Sequence, residues 1–108
     1  MDKVSAYDVV EPIVCEKVGV VISSMFEEKQ KGACVKARHL SIFILHNRFK
    51  VSIRDLKNRY GYASPRAVFK INKQMRDYIE YNNQYRELFN DAVRAIEAKL
   101  EMVSVLKC

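Results

Sequence analysis

The chain has 108 residues, the size of one domain, and its 49% hydrophobic content is enough for a modest core without covalent staples. Three Gly, two Pro and an odd set of cysteines without CxxC spacing (Cys15, Cys34, Cys108) exclude a low-complexity linker, a disulfide framework and a zinc site. The formal net charge of +6 is uneven: residues 31–76 carry twelve basic side chains against Asp55 alone, net +11, whereas residues 1–30 and 77–108 are net −3 and −2.

The simplest partner for such a middle segment is a polyanion. The opening MDKVSAYDVVEPIV has an early Asp and no long apolar run, so it does not read as a signal peptide. No run approaches the ~20 residues of a membrane span. A soluble, cytoplasmic protein in a reducing compartment is expected, with no membrane contact.

Hydrophobic spacing is helical almost throughout, and an all-α bundle of about six helices in a single domain, residues 1–108, is expected. The first helix starts between Asp8, which has capping-box spacing to Glu11, and Pro12, which suits a first helical position; it ends near Gly19. A short helix covers Ser23 to about Glu28. EKQKGACVK, with Lys29, Lys31 and Lys36 around Gly32, reads as a basic loop. A strong helix follows from about Val35 to Arg48, with Ala37, Leu40, Ile44 and Leu45 as its apolar stripe. His39 and His46 lie on it seven residues apart, with neither a metal set nor a nucleophile beside them.

Ser52 caps a short helix with Asp55 three residues on, and Gly61 ends it where a left-handed backbone is needed. Ser64 caps the next helix, with Pro65 at its first position. At 100° per residue from Arg66, Val68, Ile71, Met75 and Ile79 fall between about 140° and 220°, the core face. Arg66, Lys70 and Lys73 fall within about 40° of zero. Phe69 lies beside them at about 300°. A short helix, a glycine turn and a helix with a cationic outer face have the build of a helix-turn-helix reader. In that reading Arg66 reaches a base edge, and Lys70, Lys73 and Arg76 meet phosphates. Tyr78, Tyr81 and Tyr85 span the joint to a final helix from about Asn83 past Leu100, where packing or an exposed joint outweighs base stacking. Residues 94–108 read as a helical extension that either only lengthens the last helix or offers Ile96, Leu100, Val103 and Leu106 for self-association.

In this order the elements resemble the C-terminal DNA-binding domain (domain IV) of the bacterial replication initiator DnaA, over about residues 9–93. DVVEPIVCEKVGVVISSMF is similar to the family's opening helix and turn. EEKQKGACVKARHLSIFIL is similar to its basic loop and long helix, VSIRDLKNRYG to its bracing helix, and YRELFNDAVRAI to its closing helix. The general build is also similar to the tryptophan-repressor-like helix-turn-helix superfamily. The family's Gly-Gly-Arg-Asp-His-Ser/Thr-Thr-Val corresponds to Gly61 through Val68, where only the first Gly and the Val are kept. Ser64, Pro65 and Arg66 stand at the base-reading positions, and Pro65 has no donor. The resemblance therefore implies DNA binding without the initiator's sequence preference.

The resemblance further implies that the basic loop 29–38, with Lys31 and Lys36, lies on the backbone or minor groove. It places Arg38 at a phosphate-contacting position and His46 where the family often has Lys or Arg. Arg54 on the bracing helix completes the candidate DNA-contacting set. No Gly-x-x-x-x-Gly-Lys-Ser/Thr motif is present, so the initiator's ATPase is lacking. The expectation is a sequence-specific binder of double-stranded DNA in replication or transcription control, its recognition helix over 64–80. No enzymatic activity, small-molecule substrate, cofactor or metal is expected. The alternatives are a protein-interaction module of the same fold that has lost DNA binding, and an RNA-binding adaptor.

Overall fold

The structure, a computed structural model, describes residues 3–26 and 32–107, with side chains over 6–26 and 32–102. Helix α1, Lys3–Val18, begins earlier than the capping signals at Asp8 and Pro12 indicate. Pro12 sits inside it. The carbonyl that loses a helical partner there belongs to Asp8, which is exposed, so the loss falls on the solvent side. Two rows of α1 are buried, Ala6–Val10–Val14 and Tyr7–Glu11–Cys15. Gly19, at φ 90°, ends the helix, and its N–H donates to the Cys15 carbonyl at 2.8 Å. A 3₁₀ helix, Ile22–Phe26, follows and inserts Met25 fully into the core.

Helix α2, Ala33–Phe49, starts directly after Gly32. The helix thus starts two residues before the expected Val35, and the part of the expected basic loop from Ala33 to Arg38 belongs to α2. The positive φ of Gly32 breaks the chain there, and the helical spacing resumes at once. Lys29 and Lys31 lie outside the described residues. The expected single stripe on α2 is also too narrow. Ser41, Ile42, Phe43, Ile44 and Leu45 are all buried, because α1, the 3₁₀ helix, α3 and α4 surround this helix.

Helix α3, Ile53–Tyr60, has the expected ends: Ser52 Oγ accepts from the Asp55 N–H at 3.1 Å, and Gly61 closes it at φ 74°. Helix α4, Pro65–Tyr81, starts from an extended Ser64 with Pro65 in its first turn, but the Ser64 side chain makes no capping bond. A single residue, Asn82, separates it from α5, Asn83–Lys107, and Asn82 Oδ1 accepts the Tyr85 N–H at 3.1 Å. Among the described residues the architecture is thus all-α: five α-helices and one 3₁₀ helix. No described helix is long and apolar enough to cross a membrane. Ile96 is buried, and Leu100 is partly buried against this chain's own core. The side chains of Val103 and Leu106 are outside the described set.

Candidate nucleic-acid interface

Helix α4 separates its residues cleanly. Val68, Ile71, Asn72 and Met75 are buried against the core, while Arg66, Phe69, Lys70, Lys73 and Arg76 are exposed. The ion pairs seen among the described residues join Arg59 to Glu11, Arg48 to Glu97 and Arg94 to Asp91. None draws on the cations of α4, so their field faces solvent unneutralised by such a contact. Arg54, Ser64 and Pro65 are exposed as well.

Two polar contacts, each centred on one buried side chain (Glu11 and Asn72), hold α3 and α4. The first joins α3 to α1. Arg59 Nε donates to Glu11 Oε2 at 2.8 Å, its second terminal nitrogen donates to Glu11 Oε1, and the Tyr60 hydroxyl donates to Oε2 at 2.5 Å. The guanidinium lies 3.9 Å from the Tyr7 ring centroid and 5.5 Å from that of Phe26, which itself stacks on Tyr60 at 5.5 Å. The Glu11 hydrogen bond raises Arg59 above its ordinary range; burial, then Glu11, pushes the Tyr60 phenol far up. The second contact joins α4 to α2: Asn47 Nδ2 donates to Asn72 Oδ1 at 2.7 Å. These residues are not among the sequence-based candidates. The signals that could have found them are an acid inside an apolar row at Glu11, and an amide at about 240° on the α4 wheel, at the edge of the core arc.

Two of the sequence-based candidates turn inward. Arg38 Nη1 donates to the Met25 carbonyl at 3.2 Å, and its guanidinium lies 5.6 Å from the centroid of Tyr62, in the turn between α3 and α4. Arg38 thereby ties the 3₁₀ helix and this turn to α2. Burial raises the Tyr62 phenol, and Arg38 opposes that shift. His46 Nδ1–H donates to the Val51 carbonyl at 2.8 Å, closing the α2–α3 joint. Lys36 is half-buried, its Nζ 5.0 Å from the Tyr85 ring centroid. It lines a cleft of about 330 Å³ with His39, Gln74, Met75, Tyr78 and Tyr85. Tyr78 and Tyr85 stack there at 5.0 Å, so packing accounts for both; Tyr81 is 79% exposed. His39 is pushed down to about 4, by burial and then by Arg38, which keeps its imidazole neutral at neutral pH.

The structure thus brings Pro65, Arg66, Lys70 and Lys73 onto the exposed side of α4, with exposed Ser64 just before it and Arg54 on the preceding helix. It assigns Arg38 and His46 to internal contacts and Lys36 to the cleft. Among the described residues no three His, Cys, Asp or Glu side chains converge as a metal site. The sequence matches no protein-family model and no curated protein.

Proposed function

We propose that this chain binds duplex DNA, using α3, the Gly61 turn and α4 as a helix-turn-helix in a fold like that of the initiator's C-terminal domain. The observation that carries this reading is the outer face of α4, where Arg66, Lys70 and Lys73 stand exposed opposite buried Val68, Ile71 and Met75. A helix of this width enters the major groove. Arg66, in the first turn, addresses a base edge, while Lys70 and Lys73 meet phosphates on either side. Arg54, exposed on α3, lies along the neighbouring backbone. The Glu11–Arg59 and Asn47–Asn72 contacts support the reading, because a reading helix must be held in a fixed rotation relative to the rest of the domain. Sequence-specific binding of this kind suits a part in replication or transcription control.

The test is binding of the purified chain to random-sequence duplex DNA at low salt, with single-stranded RNA in parallel. Tight duplex binding that weakens steeply with salt is expected. No duplex binding at low salt overturns the reading, and a preference for the RNA favours an RNA adaptor instead.

A further inference from the structure

Phe69 is 59% exposed on α4, among cations. It follows Arg66 by three residues and precedes Lys73 by four, so its ring stands on the same face as both. The other exposed rings have evident places. Phe26 stacks on Tyr60, Tyr78 stacks on Tyr85, and Tyr81 carries a phenol that water can satisfy. No ring stacks on Phe69, and no cation is seated over it, among the described residues.

Resting on the duplex-DNA reading above, we propose that Phe69 is a specificity-determining residue that reads thymine through its 5-methyl group. A phenyl ring has no donor or acceptor, so it adds nothing to phosphate binding and cannot hydrogen-bond a base edge. What it offers in the major groove is apolar contact, and the thymine methyl is the apolar group displayed there. Lys70 and Lys73, gripping phosphates, hold the helix so that the ring, which lies beside them on the exposed face, meets the neighbouring base edges. Wedging between base pairs is the habit of side chains inserted from the minor groove, which α4 does not occupy in this reading.

The experiment uses the full chain and a duplex selected by it from a random pool. Each thymine of that duplex is replaced in turn by deoxyuridine, which removes the methyl group and keeps every hydrogen-bonding atom. Wild type is expected to lose about three- to fivefold in affinity at one or two positions and little elsewhere. Phe69→Asn should bind more weakly and no longer respond to deoxyuridine at those positions, whereas Phe69→Leu should keep a reduced response. Phe69 is exposed, so both variants should unfold with the same midpoint as wild type, which circular dichroism checks. Sequence-preferring binding without a deoxyuridine effect in wild type overturns this proposal alone, as does a selected site with no preference for thymine, or a Phe69→Asn variant that responds as wild type does. Absence of duplex binding overturns it together with the reading it rests on.

Discussion

Asn47 and Asn72 are joined by a 2.7 Å hydrogen bond across 25 residues, and the same Asn47 nitrogen donates to the Phe43 carbonyl at 2.8 Å. Asn72 is buried on the core side of α4, next to the exposed turn that carries Phe69 and Lys73. The bond therefore sets the rotation of α4 about its own axis, which apolar packing alone specifies less sharply. Asn72→Ala is expected to destabilise the fold by about 1–2 kcal/mol. In a double-mutant cycle, Asn47→Ala and Asn72→Ala should couple by about 0.5–1.5 kcal/mol. Urea unfolding of the four proteins measures this, and strictly additive losses would show that the bond does not tie the helices.

Glu11 and Arg59 respond unequally to truncation. The Glu11 side chain is 4% exposed and that of Arg59 is 31% exposed. Arg59→Ala leaves a carboxylate buried with only the Tyr60 hydroxyl, and should cost about 3–5 kcal/mol. Glu11→Gln should cost less, because the amide oxygen still accepts from Tyr60 and Arg59 can turn toward water. Chemical denaturation of both variants orders them, and a larger loss for Glu11→Gln would contradict this picture.

The two contacts also mark where sequence reading stops. The ends of α3 are legible because Ser52, Asp55 and Gly61 act within a few residues of themselves. The outer face of α4 is legible because the 3.6-residue period places Arg66, Lys70 and Lys73 together. Glu11 and Arg59 are 48 residues apart, and nothing local marks them as partners. The same holds for Arg38, which looks like a surface cation until Met25 and Tyr62 are brought under it by the fold. The capping signals at Asp8 and Pro12 put the start of α1 too late, because a proline on the outer side of a helix is tolerated when packing of Ala6 and Tyr7 extends the helix behind it. The encirclement of α2 is likewise tertiary: Ile42 and Phe43 read as an off-stripe excess until four elements surround them.

His39 makes stability depend on pH. Its pKa is pushed from 6.5 down to about 4 in the folded chain, by burial first and then by Arg38, with Lys36 also lining the cleft. Between these values the unfolded chain binds a proton that the folded chain refuses. Stability from this group is therefore complete above pH 6.5 and is lost as pH falls toward 4. His39→Gln should flatten the stability profile over that window and leave it unchanged above. Thermal unfolding at a series of pH values tests it, and identical slopes for both proteins would contradict the assignment.

In the proposed complex Lys70 and Lys73 act through charge rather than shape. Removing one phosphate-bound lysine should reduce the slope of log affinity against log salt by about 0.9 on duplex DNA. Lys70→Ala and Lys73→Ala should each do so, and should weaken binding about equally on every sequence. Fluorescence anisotropy across a salt series gives the slopes. An unchanged slope for both variants would show that neither lysine neutralises a phosphate.

Arg66 carries the central claim that α4 reads sequence. The most direct measurement is the affinity of wild type and of the Arg66→Ala, Arg66→Lys, Lys70→Ala and Lys73→Ala variants for a selected duplex and its complete set of single base-pair changes. A bidentate arginine–guanine pair contributes about 1–3 kcal/mol of discrimination. Arg66→Ala should erase preference at one or two base pairs by that amount, with a smaller loss on unrelated DNA. Arg66→Lys should behave nearly the same, since lysine lacks the planar fork. The two lysine variants should weaken all sequences alike. Equal, sequence-independent losses at Arg66, Lys70 and Lys73 would contradict the claim and leave the outer face of α4 a solvated charge ladder.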